Sequence, residues 1–144
     1  MTLRRATPAD APQVTELYLH TRRTCLPFLP PITDEPGAHA YFAGVVDKTE
    51  VWVSGGESGL EAFIAFTPDW VEHLYVHPER QGAGLGDALL AKAKAGSGDL
   101  QLWAFQENAQ ARRFYEARGF VVEEETDGSG NMEREPDVRY RWRT

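Results

Sequence analysis

Cysteine occurs once in the 144 residues, at Cys25. A lone thiol excludes an internal disulfide and any multi-cysteine metal site, and it suits a reducing compartment. Basic residues are in deficit: 15 Lys and Arg against 22 Asp and Glu give a net charge of −7. So acidic a chain has no general field for phosphate backbones or anionic lipid, which argues against nucleic acid and membrane as partners. Long apolar runs are also missing. The longest stretch free of Asp, Glu, Lys and Arg is residues 36–46, far short of a membrane span. Met1-Thr2-Leu3-Arg4-Arg5 leads into Ala, Thr, Pro and Asp rather than an apolar segment. No secretory signal is expected there, and the cytoplasm is the expected compartment. No repeat or linker-like tract divides the chain, and its length predicts a single domain over residues 1–144.

What is present is alternation. Residues 3–6 suit a short strand, and Asp10 suits an N-cap, with Pro12 in the first turn and Gln13 at the capping-box position. Ala11, Val14, Leu17, Tyr18 and Thr21 share a helical face to about Arg23, where a proline-rich stretch stops the helix. A second helix is predicted over 36–46. Strands at 50–54 and 60–66 flank the turn Gly55-Gly56-Glu57-Ser58-Gly59, and a third runs over 70–77. Then follow a helix at 84–95, a strand at 100–105, a helix at 108–118, a strand at 120–125, a long polar loop at 127–136 and a last strand at 138–143. Hairpins mixed with helical crossovers predict an α/β fold: a mixed, mostly antiparallel sheet of about seven strands flanked by about four helices.

The most informative stretch is His77-Pro78-Glu79-Arg80-Gln81-Gly82-Ala83-Gly84-Leu85-Gly86-Asp87, from a strand end into an apolar helix. Glycines there either simply permit a tight turn and close helix packing or aim backbone N–H groups at an anion, which the helix start favours. A Walker loop needs Gly-Lys-Ser/Thr where this chain has Gly86-Asp87-Ala88. The G-x-G-x-x-G dinucleotide pattern misses from Gly82 (Asp87 stands last) and from Gly84 (Leu89 stands last). Glu107, near where a ribose-binding acid belongs, keeps a Rossmann-type oxidoreductase as an alternative. The pattern Q/R-x-x-G-x-G/A is met in full by Gln81, Gly84 and Gly86.

That pattern resembles the GNAT family of acyl-CoA-dependent N-acetyltransferases. Glu72-His73-Leu74-Tyr75-Val76-His77-Pro78 is similar to the family's central strand. Residues 108–120, beginning Asn108-Ala109-Gln110-Ala111 and containing Phe114-Tyr115 and Gly119-Phe120, resemble its second motif, N-x-x-A-x-x-F-Y-x-x-x-G-F. The resemblance implies the acyl-CoA N-acyltransferase fold and acetyl-CoA as cosubstrate. It implies direct transfer of the acetyl group to an amine of a small molecule or peptide in a ternary complex, by a monomer or homodimer. A non-catalytic acyl-CoA-binding or sensing module is the other alternative.

The resemblance also implies roles. Gln81, Gly82, Ala83, Gly84, Gly86 and Asp87 would hold the CoA diphosphate. The backbone at Leu74 and Val76 would pair with the pantetheine arm as an added strand does, and an N–H near Leu74 or Tyr75 would face the oxyanion. Asn108, Ala111 and Tyr115 fall at i, i+3 and i+7 on one helical face, so Asn108 and Tyr115 address one extended ligand. Tyr115 is the expected general acid for the departing thiolate. Regular alternation puts Trp70, Glu72, Leu74 and Val76 on one side of their strand, and Val71, His73, Tyr75 and His77 on the other. Glu72 is the expected base, with His73 in reserve. Glu133, Glu135 and Asp137 in the long loop, with Asp69 and Glu72, suit a cationic amine, and Phe28, Trp70 and Trp103 suit its aromatic walls. His20, His39 and His77 lack partners at metal-ligand spacing, so no metal is expected.

Overall fold

The computed structural model describes residues 2–56 and 59–144. The predicted turn at Glu57 and Ser58 lies outside the described residues. In chain order the elements are β1 (Leu3–Arg5), α1 (Ala11–Cys25), α2 (Glu35–Lys48), β2 (Glu50–Gly56), β3 (Gly59–Thr67) and β4 (Trp70–Val76). They continue with α3 (Leu85–Ala95), β5 (Asp99–Phe105), α4 (Ala109–Glu116), β6 (Val121–Glu125) and β7 (Asp137–Arg143). The strands form one sheet of 7 in the order β1-β2-β3-β4-β5-β7-β6. Every pairing is antiparallel except β4 with β5. A dinucleotide-binding Rossmann sheet is parallel throughout its binding half, so the oxidoreductase alternative fails on topology.

Helices cover the two faces of the sheet and divide its core. On one face Leu85, Leu89, Leu90 and Ala93 of α3 and Tyr115 of α4 pack on Ala62, Ile64, Val71, Leu100, Leu102, Val138 and Tyr140. On the other, Val14 and Leu17 of α1 and Phe42 and Val45 of α2 pack on Val51, Val53, Phe63 and Ala65. Each fully buried Leu, Val or Phe side chain contributes about 1.5–3 kcal/mol, so the two clusters fix helix positions firmly on both sides of β4.

Two local expectations are corrected. Asp10 does not cap α1 with its side chain. Its carboxylate turns back to accept from Thr7 N at 2.8 Å and from both Arg4 Nη atoms at 2.8 Å. A single 3-10 turn, Pro8–Asp10, precedes the helix and brings the carboxylate to those donors first. The second correction concerns β4. His73 faces Ala65 and Val71 faces Phe66, so Glu72 is the extra residue of a β-bulge. Val71 therefore joins the α3/α4 side with Leu74 and Val76. The rings of His73 and Tyr75 lie against Phe42 and Phe63 on the α1/α2 side. One inserted residue reverses the alternation.

Candidate active site

β4 and β5 meet at one register pair, Trp70 with Gln101, and then diverge. Beyond that point β5 stays paired with β7 as far as Phe105, while the β5-facing edge of β4 has no strand partner among the described residues. Backbone donors and acceptors on such an edge seek another partner. The fork opens into a cleft of about 400 Å³. Leu74, Tyr75 and Val76 line it from β4, Gln81, Gly82, Gly84, Gly86 and Asp87 from the glycine loop and the start of α3, and Asn108, Ala111 and Tyr115 from α4. The structure thus gathers nine of the eleven residues expected to bind the cosubstrate or act in catalysis, with Tyr75 and Ala111 beside them. Ala83 and Glu72 are not part of the lining.

The glycine loop is shaped by backbone demands. Gly82 and Gly84 have φ of 85° and 84°, a region costly for any residue with a Cβ. Gly84 is the N-cap of α3, and its carbonyl accepts from Ala88 N at 3.1 Å. The N–H groups of Leu85, Gly86 and Asp87, ahead of Ala88 in the helix, have no intrahelical carbonyl to meet, and all three residues line the cleft. At Gly86 a Cβ would stand 3.0 Å from Phe114 Cε1 and Cζ, so the close approach of α3 to α4 depends on glycine. Gln81 ties the cleft's sides together: its Nε2 donates to Val76 O at 3.1 Å, and its Oε1 accepts from Gln110 Nε2 at 2.7 Å.

Asp87 carries a carboxylate at the helix start, where a bound anion would meet it. Arg118 donates to it through Nε and, at 2.8 Å, through Nη2. The hydrogen-bonded guanidinium holds the Asp87 carboxyl below the usual carboxylate range. The same guanidinium lies 3.8 Å over the Phe114 ring. Asn108 caps α4, its Oδ1 accepting from Ala111 N at 3.2 Å.

Tyr115 is buried, with its ring against Phe114 and Phe120. Burial pushes its phenol well above 10, so it stays protonated across the physiological range. Its hydroxyl has no hydrogen-bond partner among the described residues and is free to serve a ligand in the cleft. Glu72 is exposed, on the bulge two residues beyond the last β4–β5 pairing. Partial burial and then the Asp69 charge raise its carboxyl above the ordinary value. Following the Trp70–Gln101 pair where the strands part, Glu72 stands at the fork's apex, and its charge adds to burial in raising the Tyr41 phenol on α2. His73 is held at 2.8 Å by the Tyr41 hydroxyl, and burial lowers its imidazole to about 4.

Of the residues expected to meet an amine, Asp137 is instead buried and holds the loop, accepting from Thr126 Oγ1 and, at 3.2 Å, from Asn131 Nδ2. Asp69 accepts from Thr67 Oγ1 at 3.0 Å. Phe28 meets Phe105 edge-on at the open end of β5, while Trp103 is exposed on the sheet. Sequence reasoning missed the wall built by the end of α1, where Thr21, Cys25 and Leu26 line the cleft. It also missed the pairing of Arg22 with Glu133 across the fold.

The sequence pattern of the acetyltransferase (GNAT) domain matches residues 43–122, more than half of the chain. The chain belongs to the GNAT acetyltransferase family. It is therefore an acyltransferase, and the acyl-CoA N-acyltransferase fold expected from the sequence is the one observed. Among solved structures, yncA of Salmonella typhimurium, a putative acetyltransferase with its cofactor acetyl-CoA, is 26% identical. That match covers 99% of this chain and 93% of the other, with a TM-score of 0.74. Apo YjaB of Escherichia coli is 18% identical over 98% of this chain and 96% of its own, with a TM-score of 0.79. The PaiA N-acetyltransferase of Thermoplasma acidophilum, in complex with coenzyme A, is 19% identical over 99% and 98%, with a TM-score of 0.75. No curated protein matches the chain. In this GNAT chain no group of three His, Cys, Asp or Glu among the described residues could hold a metal. No helix among them is long and apolar enough to cross a membrane.

Proposed function

We propose that the protein, acting as one domain over residues 1–144, transfers the acetyl group of acetyl-CoA directly to a primary amine of a small molecule or peptide while both are bound. The observation that carries this reading is the fork between β4 and β5, which joins an unpaired strand edge, a glycine-lined helix start and a buried phenol in one cleft. Those parts fit the cosubstrate. The N–H groups at Gly84, Leu85 and Gly86 suit a diphosphate, and the β4 edge at Leu74 and Val76 suits the amide-bearing pantetheine arm. Arg118 offsets the Asp87 carboxylate that a diphosphate would otherwise meet. Asn108, the cap of α4, faces the same cleft, and Ala83 would serve through its backbone between the two positive-φ glycines of the loop.

Bound acetyl-CoA supplies an activated acetyl group on sulfur. The chain's own residues do the rest. Glu72, at the fork's apex, accepts through water the proton that an ammonium must lose before its nitrogen bonds to the acetyl carbon. A β4 N–H near Leu74 or Tyr75 holds the carbonyl oxygen as it gains charge. Tyr115 donates its hydroxyl proton to the sulfur as the carbon–sulfur bond breaks, and the phenolate regains a proton from the nitrogen, which sheds its second proton to become the neutral amide. Cys25 has no histidine hydrogen-bonded to it among the described residues, and its sulfur lies 3.7 Å from Gln81 Nε2, which supports direct transfer over an acyl-cysteine route. The lone cysteine supports a reducing, cytoplasmic setting.

Calorimetry with acetyl-CoA, followed by thiol release over an amine panel with wild type and Tyr115→Phe, tests the proposal. Wild type should bind acetyl-CoA and release thiol. Tyr115→Phe should bind it equally and turn over about a hundredfold more slowly or worse. Binding without thiol release from any amine would leave a CoA-binding module, and no binding would remove the reading altogether.

A further inference from the structure

Arg22 is 7% exposed, yet it is poorly satisfied. Its Nη2 donates to Pro30 O at 2.9 Å and its Nη1 to the Tyr18 hydroxyl at 3.1 Å. Its Nε is buried without any partner. The one carboxylate paired with it among the described residues, Glu133, stands 3.5 Å away. A buried guanidinium ordinarily needs close, bidentate compensation, and an unpaired N–H at such depth costs about 1–3 kcal/mol.

The location of this deficit is specific. Thr21, the preceding residue, lines the cleft, and its Oγ1 is likewise buried without a partner. Tyr75 lines the same cleft. Burial raises its phenol, the Tyr18 and Tyr115 hydroxyls and the Glu133 charge add to that, and the Arg22 charge opposes it. The Tyr75 ring meets the Tyr18 ring edge-on at 5.2 Å between centroids, and the Tyr18 hydroxyl accepts from Arg22, so a chain of contacts joins the cleft wall to the guanidinium, although Arg22 and Glu133 stand behind the lining. Arg22 also joins two separate segments, the connection after α1 at Pro30 and the β6–β7 connection at Glu133.

Resting on the acetyltransferase reading above, we infer that the acceptor is a small zwitterion, an α-amino acid or a close analogue. Its carboxylate docks on Arg22, and its ammonium meets Glu133. The planar fork of an arginine matches a carboxylate bidentately. An arriving carboxylate supplies the partner that Nε lacks and releases Glu133 from its long contact. Glu133 then faces the ammonium. Acetylation removes the ammonium charge, so the product loses its attraction to Glu133 and leaves.

The test compares an α-amino acid, its amide and the matching decarboxylated amine in thiol release with acetyl-CoA. Wild type should favour the acid by about tenfold to a hundredfold in kcat/KM over both neutral-ended forms, the range of a charge-assisted pair. Arg22→Gln should abolish most of that preference while acetyl-CoA affinity, read by calorimetry, stays unchanged. Glu133→Gln should raise KM for the amino acid. The wild-type series decides even where a variant fails to fold. Amide and amine used as well as the acid would overturn the zwitterion assignment while leaving the acetyltransferase intact. Bound acetyl-CoA with no thiol release from any member of a broad amine panel would overturn both.

Discussion

Arg118, just beyond the last turn of α4, grips the Asp87 carboxylate in the first turn of α3 with two donors, across the mouth of the cleft. The pair solves a problem created by Asp87 itself. An anionic side chain is favourable at a helix start, but it competes with any diphosphate that uses the same N–H groups. Arg118→Ala should therefore weaken acetyl-CoA binding by about threefold to tenfold, since it leaves the carboxylate uncompensated. Adding Asp87→Asn should bring the affinity back to within about twofold, the non-additivity expected of a coupled pair. Fold stability should move by less than about 1 kcal/mol, because the pair faces solvent. Calorimetric affinities for the four proteins of the cycle check this.

Gly86 carries a second prediction. A methyl group there would press on Phe114 at 3.0 Å, and the outer side of that ring is already covered by Arg118. Gly86→Ala should cost about 1–3 kcal/mol as overpacking and weaken acetyl-CoA binding by about tenfold through displacement of Phe114. Gly96→Ala, where a Cβ would meet nothing within 4 Å, is the control. Equal urea midpoints for the two variants would show that α3 and α4 do not need their close approach.

Much of this was legible in the sequence because punctuation is local. Prolines after α1, Pro68-Asp69 before β4 and glycines around α3 mark element ends, and predicted and observed bounds differ by about two residues or fewer. The cleft was legible for the same reason, as Gln81, Gly84, Gly86, Asn108 and Tyr115 lie in two short motifs. The β4 bulge was not, because an inserted residue is defined by its partner strand, and nothing at Glu72 differs from regular alternation. Nor was the role of Asp10, which depends on where β1 places Arg4. Arg22 was least visible. Its burial is made by Pro30 and by Glu133, the latter 111 residues away, and no helical pattern encodes that.

Glu72 as base predicts a specific pH response. The carboxylate must be ionised to accept a proton, and partial burial plus Asp69 raise its pKa, so activity should fall on the acid side at a pH above the ordinary glutamate value. Glu72→Gln removes that group. Turnover at pH 7 should drop about a hundredfold, and activity should then climb with pH toward the amine's own pKa, about 10 for a lysine-like amine. A pH profile of kcat/KM identical to wild type would exclude Glu72 from proton transfer.

His73 governs acid stability. Its imidazole is half-buried against Phe42 and Phe63 and is held by Tyr41, and loss of solvation there lowers its pKa from the usual 6.5 to about 4. The unfolded chain takes up a proton near 6.5, while the folded chain does so only near 4. The contribution is therefore fully present above pH 6.5 and is lost as pH falls toward 4, amounting to about 3 kcal/mol. Asp10 acts at lower pH. The Arg4 hydrogen bonds pull its carboxyl to about 2, so its contribution holds above about 3.8 and is lost toward 2. Urea midpoints should thus decline first between pH 6.5 and 4 and again below about 3.8. His73→Gln should flatten the first decline and leave the second, whereas a variant that kept the first decline would show that another group titrates there.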